Sequence, residues 1–198
     1  MLLGLASSTL LSSITATALA QQGPSAVETP PAANYWKSFA LGFGVSILAH
    51  ETAHILTSFA VGAHPYIAFS KGRPTVYSGI DSDRHPHKQF LFSSAGLVTQ
   101  SLINEAILDI PHSGGGAIER GILAGGIGTT LFYLTLGRNG SVSDISVMAR
   151  TSSLSKTQLS LIFGGVSAIQ AWRISRDPRY EHFFAAPTGN GAVIGLRF

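Results

Sequence analysis

Residues 39–63 read FALGFGVSILAHETAHILTSFAVGA, and this stretch decides how the rest of the chain is interpreted. Its only ionisable side chains are those of His50, Glu51 and His54, which form the motif H-E-x-x-H. A charge at the centre of a bilayer costs roughly 2.5–3.5 kcal/mol even on the lenient insertion scale, so residues of this kind usually have a functional partner. The stretch therefore predicts an apolar helix that carries a chemical site.

The spacing of the motif indicates a metal site. His50 and His54 are four residues apart, so they share a helix face and can bind one metal ion through their imidazoles. Glu51 lies about 100° around the helix, close enough to act as a general base on water at that metal. A core helix that carries the motif by chance is the alternative, but buried His and Glu without partners would be costly.

The composition favours a membrane protein. Only 12% of the 198 residues are charged, and the mean hydropathy is +0.29. Low charge combined with long apolar runs is typical of the membrane class. The net charge of +3 is small, and no basic patch with interleaved aromatics occurs, so nucleic acid is not an expected partner. The absence of cysteine excludes disulfides, thiol catalysis and thiolate ligands, which leaves histidines and carboxylates as strong metal ligands.

The expected fold is an all-α membrane protein with about four transmembrane helices. Each predicted span is close to the ~20 residues that a bilayer requires. The spans are residues 36–62, 90–110, 117–136 and 157–172. Residues 66–69 and 74–77 flank a turn and predict a short β-hairpin between the first two spans. Gly121, Gly125 and Gly128 lie at helical spacing in the third span and predict close helix packing.

The flanking segments complete the predicted domain organisation. Residues 1–20 predict a secretory signal peptide, because a short apolar stretch ends in the small-x-small pattern Ala-Leu-Ala. A retained first anchor is the alternative, since no Lys or Arg precedes the apolar stretch. The prolines of residues 21–35 predict a disordered linker. Residues 36–172 then form the helical membrane domain, and residues 173–198 form a C-terminal tail.

A catalytic zinc takes three protein ligands and leaves one position for water, so a third ligand is needed. Two carboxylates are candidates, Asp144 and Glu105. At 1.5 Å per residue, Glu105 lies about one turn further outward than the level of His54. Asp144 follows the inner end of the third span and can fold back toward the histidines. Depth therefore favours Asp144 and keeps Glu105 as the alternative.

The order of these features resembles the site-2 protease family of intramembrane zinc metalloproteases. In that family the H-E-x-x-H helix is followed by a surface hairpin, a helix that opens with a small-Gly-Pro-type motif, and a helix whose Asp completes the zinc site. Residues 94–96 (Ser-Ala-Gly) match the second element without its proline. Residues 139–144 match the third with a shorter Asn-to-Asp spacing and no proline, and Ile145 stands where Gly is usual.

This resemblance implies a specific function. It implies Zn²⁺ as the cofactor, His50, His54 and Asp144 as its ligands, and Glu51 as the catalytic residue of an endopeptidase. The implied partners are the lipid bilayer and a membrane or membrane-adjacent polypeptide as substrate, and the expected location is the bacterial inner (cytoplasmic) membrane. The alternative is a non-catalytic metal-binding scaffold derived from such an enzyme, and the sequence leaves the oligomeric state open.

Residues 103–110 support the alternative third ligand, because they resemble the second zinc motif of thermolysin-like proteases. That resemblance implies Glu105 as a zinc ligand and Asp109 as the carboxylate that orients a ligand histidine through a hydrogen bond. Gln100 and Asn104 are further polar residues of the second span. Hydrogen bonds between helices account for them, at about 0.6 kcal/mol each.

Overall fold

The computed structural model describes residues 33–70, 72–180, 183–188 and 191–196. In chain order the elements are α1 (Ala33–Ala60), β1 (Tyr66–Ser70), β2 (Arg73–Tyr77), α2 (Pro86–Asp109), α3 (Ala117–Leu134), α4 (Asp144–Arg150), α5 (Lys156–Arg176), a 3₁₀ turn (Pro178–Tyr180), β3 (Phe183–Thr188) and β4 (Gly191–Leu196). The prediction of a mainly helical chain with a hairpin after the first helix is confirmed. The predicted signal peptide and most of the predicted linker lie outside the described residues.

Helix α1 ends in a glycine-dependent turn that starts the hairpin. Gly62 has φ +77°, and its N–H donates to the carbonyl of Phe59 while the N–H of Ala63 donates to that of Ser58. This pair of hydrogen bonds is a Schellman motif, which satisfies two of the helix's last carbonyls and requires a residue at ease with positive φ. The chain then leads into β1, which pairs antiparallel with β2 from Tyr66↔Tyr77 to Ser70↔Arg73.

Close contact between α1 and α3 depends on glycine. A Cβ on Gly121 would lie 2.1 Å from the carbonyl oxygen of Phe39, and one on Gly125 would lie 2.6 Å from Cβ of Ser46. A Cβ on Gly42 would lie 1.9 Å from the carbonyl oxygen of Ile118. At Gly128 the nearest atom would be 3.6 Å away, an ordinary contact. The predicted role of the third-span glycines in packing therefore holds at Gly121 and Gly125.

The interior combines two apolar clusters with many buried polar side chains. One cluster contains Leu108, Leu123, Ile127, Ala171, Ile174 and Tyr180. The other contains Leu97, Ile145, Met148 and Leu159. Buried polar residues of α1 and α2 include Ser46, His50, His54, Ser58, Gln89, Ser93, Gln100 and Asn104. Since buried polar groups need hydrogen-bond partners, this polar interior indicates a network between helices.

The structure adds elements that the sequence pattern did not predict. Helix α4 was not expected, and α5 extends four residues past the predicted end of the domain at residue 172. Helix α1 begins at Ala33, inside the predicted linker, and the predicted tail contains the strand pair β3–β4. Ser155 precedes α5 and caps it with a capping box, in which its side chain and that of Gln158 each accept a hydrogen bond from the other's backbone N–H.

One helix among the described residues is long and apolar enough to cross a membrane. It covers Asn34–Ala60, and a signal sequence or a buried core helix would meet the same criterion. This finding concerns length and composition alone.

Candidate metal centre

The two histidines of the motif lie on the inner face of α1 and point to the same place. Nε2 of His50 lies 3.1 Å from Nε2 of His54, and both side chains are buried. Four-residue spacing places both residues on one face of the helix, as the motif predicts. The site therefore begins with two imidazoles whose Nε2 atoms meet inside the helix bundle.

The other ring nitrogen of each histidine is held by an oxygen. Nδ1 of His50 lies 3.0 Å from Oε1 of Gln100, and Nδ1 of His54 lies 2.6 Å from the carbonyl oxygen of Phe92. A backbone carbonyl only accepts hydrogen bonds, so His54 must donate from Nδ1. Its Nε2 is then free to ligate a cation, which is how metal-binding histidines are usually fixed.

Asp144 completes the group. Its Oδ2 lies 3.1 Å from Nε2 of His50 and 3.4 Å from Nε2 of His54. Burial disfavours the carboxylate, but attraction to His54 and His50, when these imidazoles carry a proton, outweighs burial and lowers the pKa of Asp144 to about 2. Asp144 is therefore anionic at neutral pH, as a ligand carboxylate must be.

Helix α4 explains how Asp144 reaches the histidines. Ile145 and Met148 are fully buried in one of the apolar clusters, so they anchor this short helix against its neighbours. Ser146 Oγ donates to the carbonyl of Arg138, which ties the preceding loop to the helix. Asp144 is the first residue of α4 and faces the two imidazoles. Ile145, where the resembling family usually has glycine, is thus an anchor for the carboxylate beside it.

The donor set fits a divalent metal ion. The three ligating atoms lie within 4.8 Å of one another, and no other such group of three occurs in the described ranges. Oδ2 of Asp144 has no hydrogen-bond donor among the described residues. Two imidazole nitrogens with free lone pairs and a carboxylate oxygen would repel one another unless a cation or a proton lies between them. The group His50, His54 and Asp144 could therefore hold a metal ion.

Glu51 lies beside this group and lines a cavity of about 840 Å³. His54 and Asp144 line the same cavity, together with residues of the hairpin β1–β2, the start of α2 and the loop that precedes α4. Glu51 is half-buried. The cavity therefore brings the predicted general base and two of the three ligand residues to one space that a substrate and water could enter.

Glu105 and Asp109, the alternative ligand and its predicted partner, do not join the histidines. Both carboxylates form ion pairs with Arg173 of α5, and Glu105 also accepts a hydrogen bond from Nε2 of Gln170 at 3.0 Å. They lie at the end of α2, and their side chains are partly exposed. The structure therefore brings Asp144 to His50 and His54, and places Glu105 and Asp109 in a charged cluster between α2 and α5.

Two residues of α2 shape the site without being among the predicted ligands. Gln100 binds Nδ1 of His50, and Gly96 lies so close to the imidazole that a Cβ would come within 2.4 Å of its Cε1. The sequence signalled both: Gly96 belongs to the small-residue motif, and Gln100 is a polar residue in an apolar span. Their common partner His50 is visible only in the folded chain, because it lies 50 residues from Gln100.

A comparison with models of known protein families gave no match, and neither did comparisons with curated proteins and with solved structures.

Proposed function

We propose that this protein is a zinc-dependent, membrane-embedded endopeptidase. The observation that carries the proposal is the meeting of His50 Nε2, His54 Nε2 and Asp144 Oδ2 within 4.8 Å, beside a cavity that Glu51 lines. Two histidines and a carboxylate are a common ligand set of catalytic zinc in hydrolases, and three protein ligands leave one position for water or substrate.

In the proposed mechanism three residues bind the metal ion and a fourth transfers protons. Zinc, when bound, supplies an electrophile that acidifies water toward a pKa of about 7 and polarises a carbonyl group. His50, His54 and Asp144 hold it, and hydrogen bonds at both Nδ1 atoms keep the imidazoles in ligand orientation. Glu51 takes the proton of the attacking water and later donates it to the leaving amine, a general acid–base role worth roughly 10²–10⁴-fold in rate.

The distribution of side chains supports four transmembrane helices, α1, α2, α3 and α5. They contain 28, 24, 18 and 21 residues, so the shortest is about 27 Å long, close to the ~30 Å hydrocarbon core. Many large apolar side chains face outward on these helices, and many polar side chains are buried beside the apolar clusters. The outward-facing residues include Leu41, Leu48, Leu56, Leu102, Leu161 and Trp172.

Charged residues of these helices also support the proposed membrane position. Apart from Glu51, they lie near the helix ends, as Glu119 and Arg120 do in α3 and Arg173 and Arg176 do in α5. Charges near helix ends can reach the interface, whereas a charge at mid-depth needs a functional reason. We propose the bacterial inner membrane as the location, and a membrane or membrane-adjacent polypeptide as the substrate.

Elemental analysis of the full chain in detergent tests the zinc site. We expect one zinc per chain in the wild type, its loss in His54→Ala and Asp144→Ala, and its retention in Glu105→Ala. Circular dichroism of each variant checks that the helices have formed. A wild type that binds no zinc after reconstitution would overturn the proposal.

Cleavage of fluorescently labelled casein in detergent then separates an enzyme from a non-catalytic scaffold. We expect Glu51→Gln to keep its zinc and to lose at least ~100-fold in cleavage rate, because the general base is gone. Residues 94–96 and 139–144 depart from the pattern of the resembling family, and these departures favour a non-catalytic scaffold as the alternative. That alternative predicts zinc binding without cleavage that depends on Glu51.

A further inference from the structure

Gln100 joins the candidate metal centre to the packing of three helices. Its side chain is 1% exposed, and its Oε1 lies 3.0 Å from Nδ1 of His50. Its Nε2 lies 3.1 Å from the carbonyl oxygen of Ser46 on α1, 3.0 Å from the hydroxyl of the same residue, and 3.2 Å from the hydroxyl of Thr129 on α3. One amide from α2 therefore has partners on both neighbouring helices.

These contacts fix the orientation of the amide and, through it, the tautomer of His50. The carbonyl of Ser46 can only accept, so the amide nitrogen of Gln100 must face it and Oε1 must face His50. An amide oxygen also only accepts, so His50 donates from Nδ1. Its Nε2 then keeps a lone pair directed at Asp144 and His54.

We propose that Gln100 is the positioning residue of the metal centre, holding His50 in the tautomer and ring orientation that ligation requires. This inference rests on the zinc site of the proposed function. A backbone carbonyl, that of Phe92, does the same for His54, so Gln100 is the side chain through which ligand orientation can be altered. Because the amide is neutral, it orients the ring without adding a second buried negative charge next to Asp144.

Asn104 provides a matched control one turn further along α2. It is also 1% exposed, and its Nδ2 donates to Oε1 of Gln170 on α5 at 3.1 Å. Replacing Asn104 by Leu removes a buried amide between helices, as Gln100→Met does, while the partner of His50 is left in place. A loss of packing alone would affect both variants.

Two measurements on the full chain in detergent test the proposal. The first is zinc affinity, measured by competition with a chelator. The second is the visible absorption spectrum of the Co²⁺-loaded protein. We expect Gln100→Met to bind zinc roughly 10–100-fold more weakly and to show an altered Co²⁺ spectrum, because an imidazole without its partner is free to rotate. Asn104→Leu is expected to match the wild type in both measurements.

Unchanged affinity and spectrum in Gln100→Met would overturn the positioning role. So would equal losses of affinity in the two variants with unaltered spectra, since these would indicate packing alone. A wild type that binds neither metal would instead overturn the proposed zinc site, so the two failures are distinguishable.

Discussion

The imidazole of His50 lies against Gly96 so closely that no side chain fits at position 96. A Cβ there would lie 2.4 Å from Cε1 and 2.5 Å from both Nδ1 and Nε2 of the ring. Gly96 is one turn before Gln100 on α2, so a single helix face both admits the ring and binds its Nδ1. The orientation of this histidine therefore depends on α2 as well as on the helix that carries it.

Gly96→Ala is expected to displace the ring of His50 and to weaken zinc binding at least tenfold. Losses of this size are typical when the groups that orient a metal ligand are mutated. The reason is steric, because the new methyl group would occupy the volume of the imidazole. Chelator competition on the detergent-purified protein measures the effect. Gly44→Ala is the control, since a Cβ at Gly44 on α1 meets nothing within 4 Å. Equal zinc affinity in the two variants would contradict the prediction.

Zinc is expected to stabilise the fold, because it binds a site that the unfolded chain lacks. At a free zinc concentration of 100 Kd the gain is about 2.7 kcal/mol, so the melting temperature should rise with zinc and fall with a chelator. Thermal melts followed by circular dichroism measure this shift. Asp144→Asn should lose most of it, since the anionic ligand is gone. A chelator that leaves the wild-type melting temperature unchanged would contradict the expectation.

Gly121→Ala should destabilise the packing of α1 against α3. Its Cβ would come within 2.1 Å of the carbonyl oxygen of Phe39, and overpacking of this kind costs typically about 1–3 kcal/mol. Gly128→Ala on the same helix is the matched control, because its Cβ meets only an ordinary contact with Phe43. We expect a clearly lower melting temperature for the first variant alone, and similar melting temperatures would refute the role of Gly121.

The α2–α3 loop should make stability depend on pH through His112. The carbonyl of Ile110 and the carboxylate of Glu119 raise the pKa of His112 above its usual 6.5, against the opposing charge of Arg179. The protonated form is favoured in the folded state, so this contribution is fully present below pH 6.5 and is lost as pH rises through the raised pKa. Melting temperatures between pH 5 and pH 9 should therefore decline less in His112→Gln than in the wild type.

The control for that series is His87→Gln, which removes an exposed histidine near the start of α2. It should follow the wild-type profile. If His112→Gln also followed the wild-type profile, protonation of His112 would contribute nothing to the dependence of stability on pH, and the predicted linkage would be refuted.

Much of the helical pattern could be predicted from local sequence. The long helices follow from apolar length, and the hairpin follows from two strand-like stretches around a turn at Gly72, which has a positive φ. Helix α2 begins at Pro86, four residues before the predicted start of the second span. Helix α4 was missed because its seven residues are too few to produce a periodic signal. Its stability comes from Ile145 and Met148, which are buried against residues far away in the chain.

The sequence by itself indicated the two histidines and the glutamate as the candidate site, because four-residue spacing places His50 and His54 on one helix face and Glu51 about 100° around the helix. It narrowed the third partner to two carboxylates and could not choose between them by chemistry, since Asp144 and Glu105 are both suitable ligands. Tertiary structure made that choice. Packing of α4 brings Asp144 to the histidines, Arg173 pairs with Glu105, and Gln100 and Gly96 position His50 across 50 and 46 residues of chain. Contacts over such separations depend on how the helices dock, and no local pattern records that.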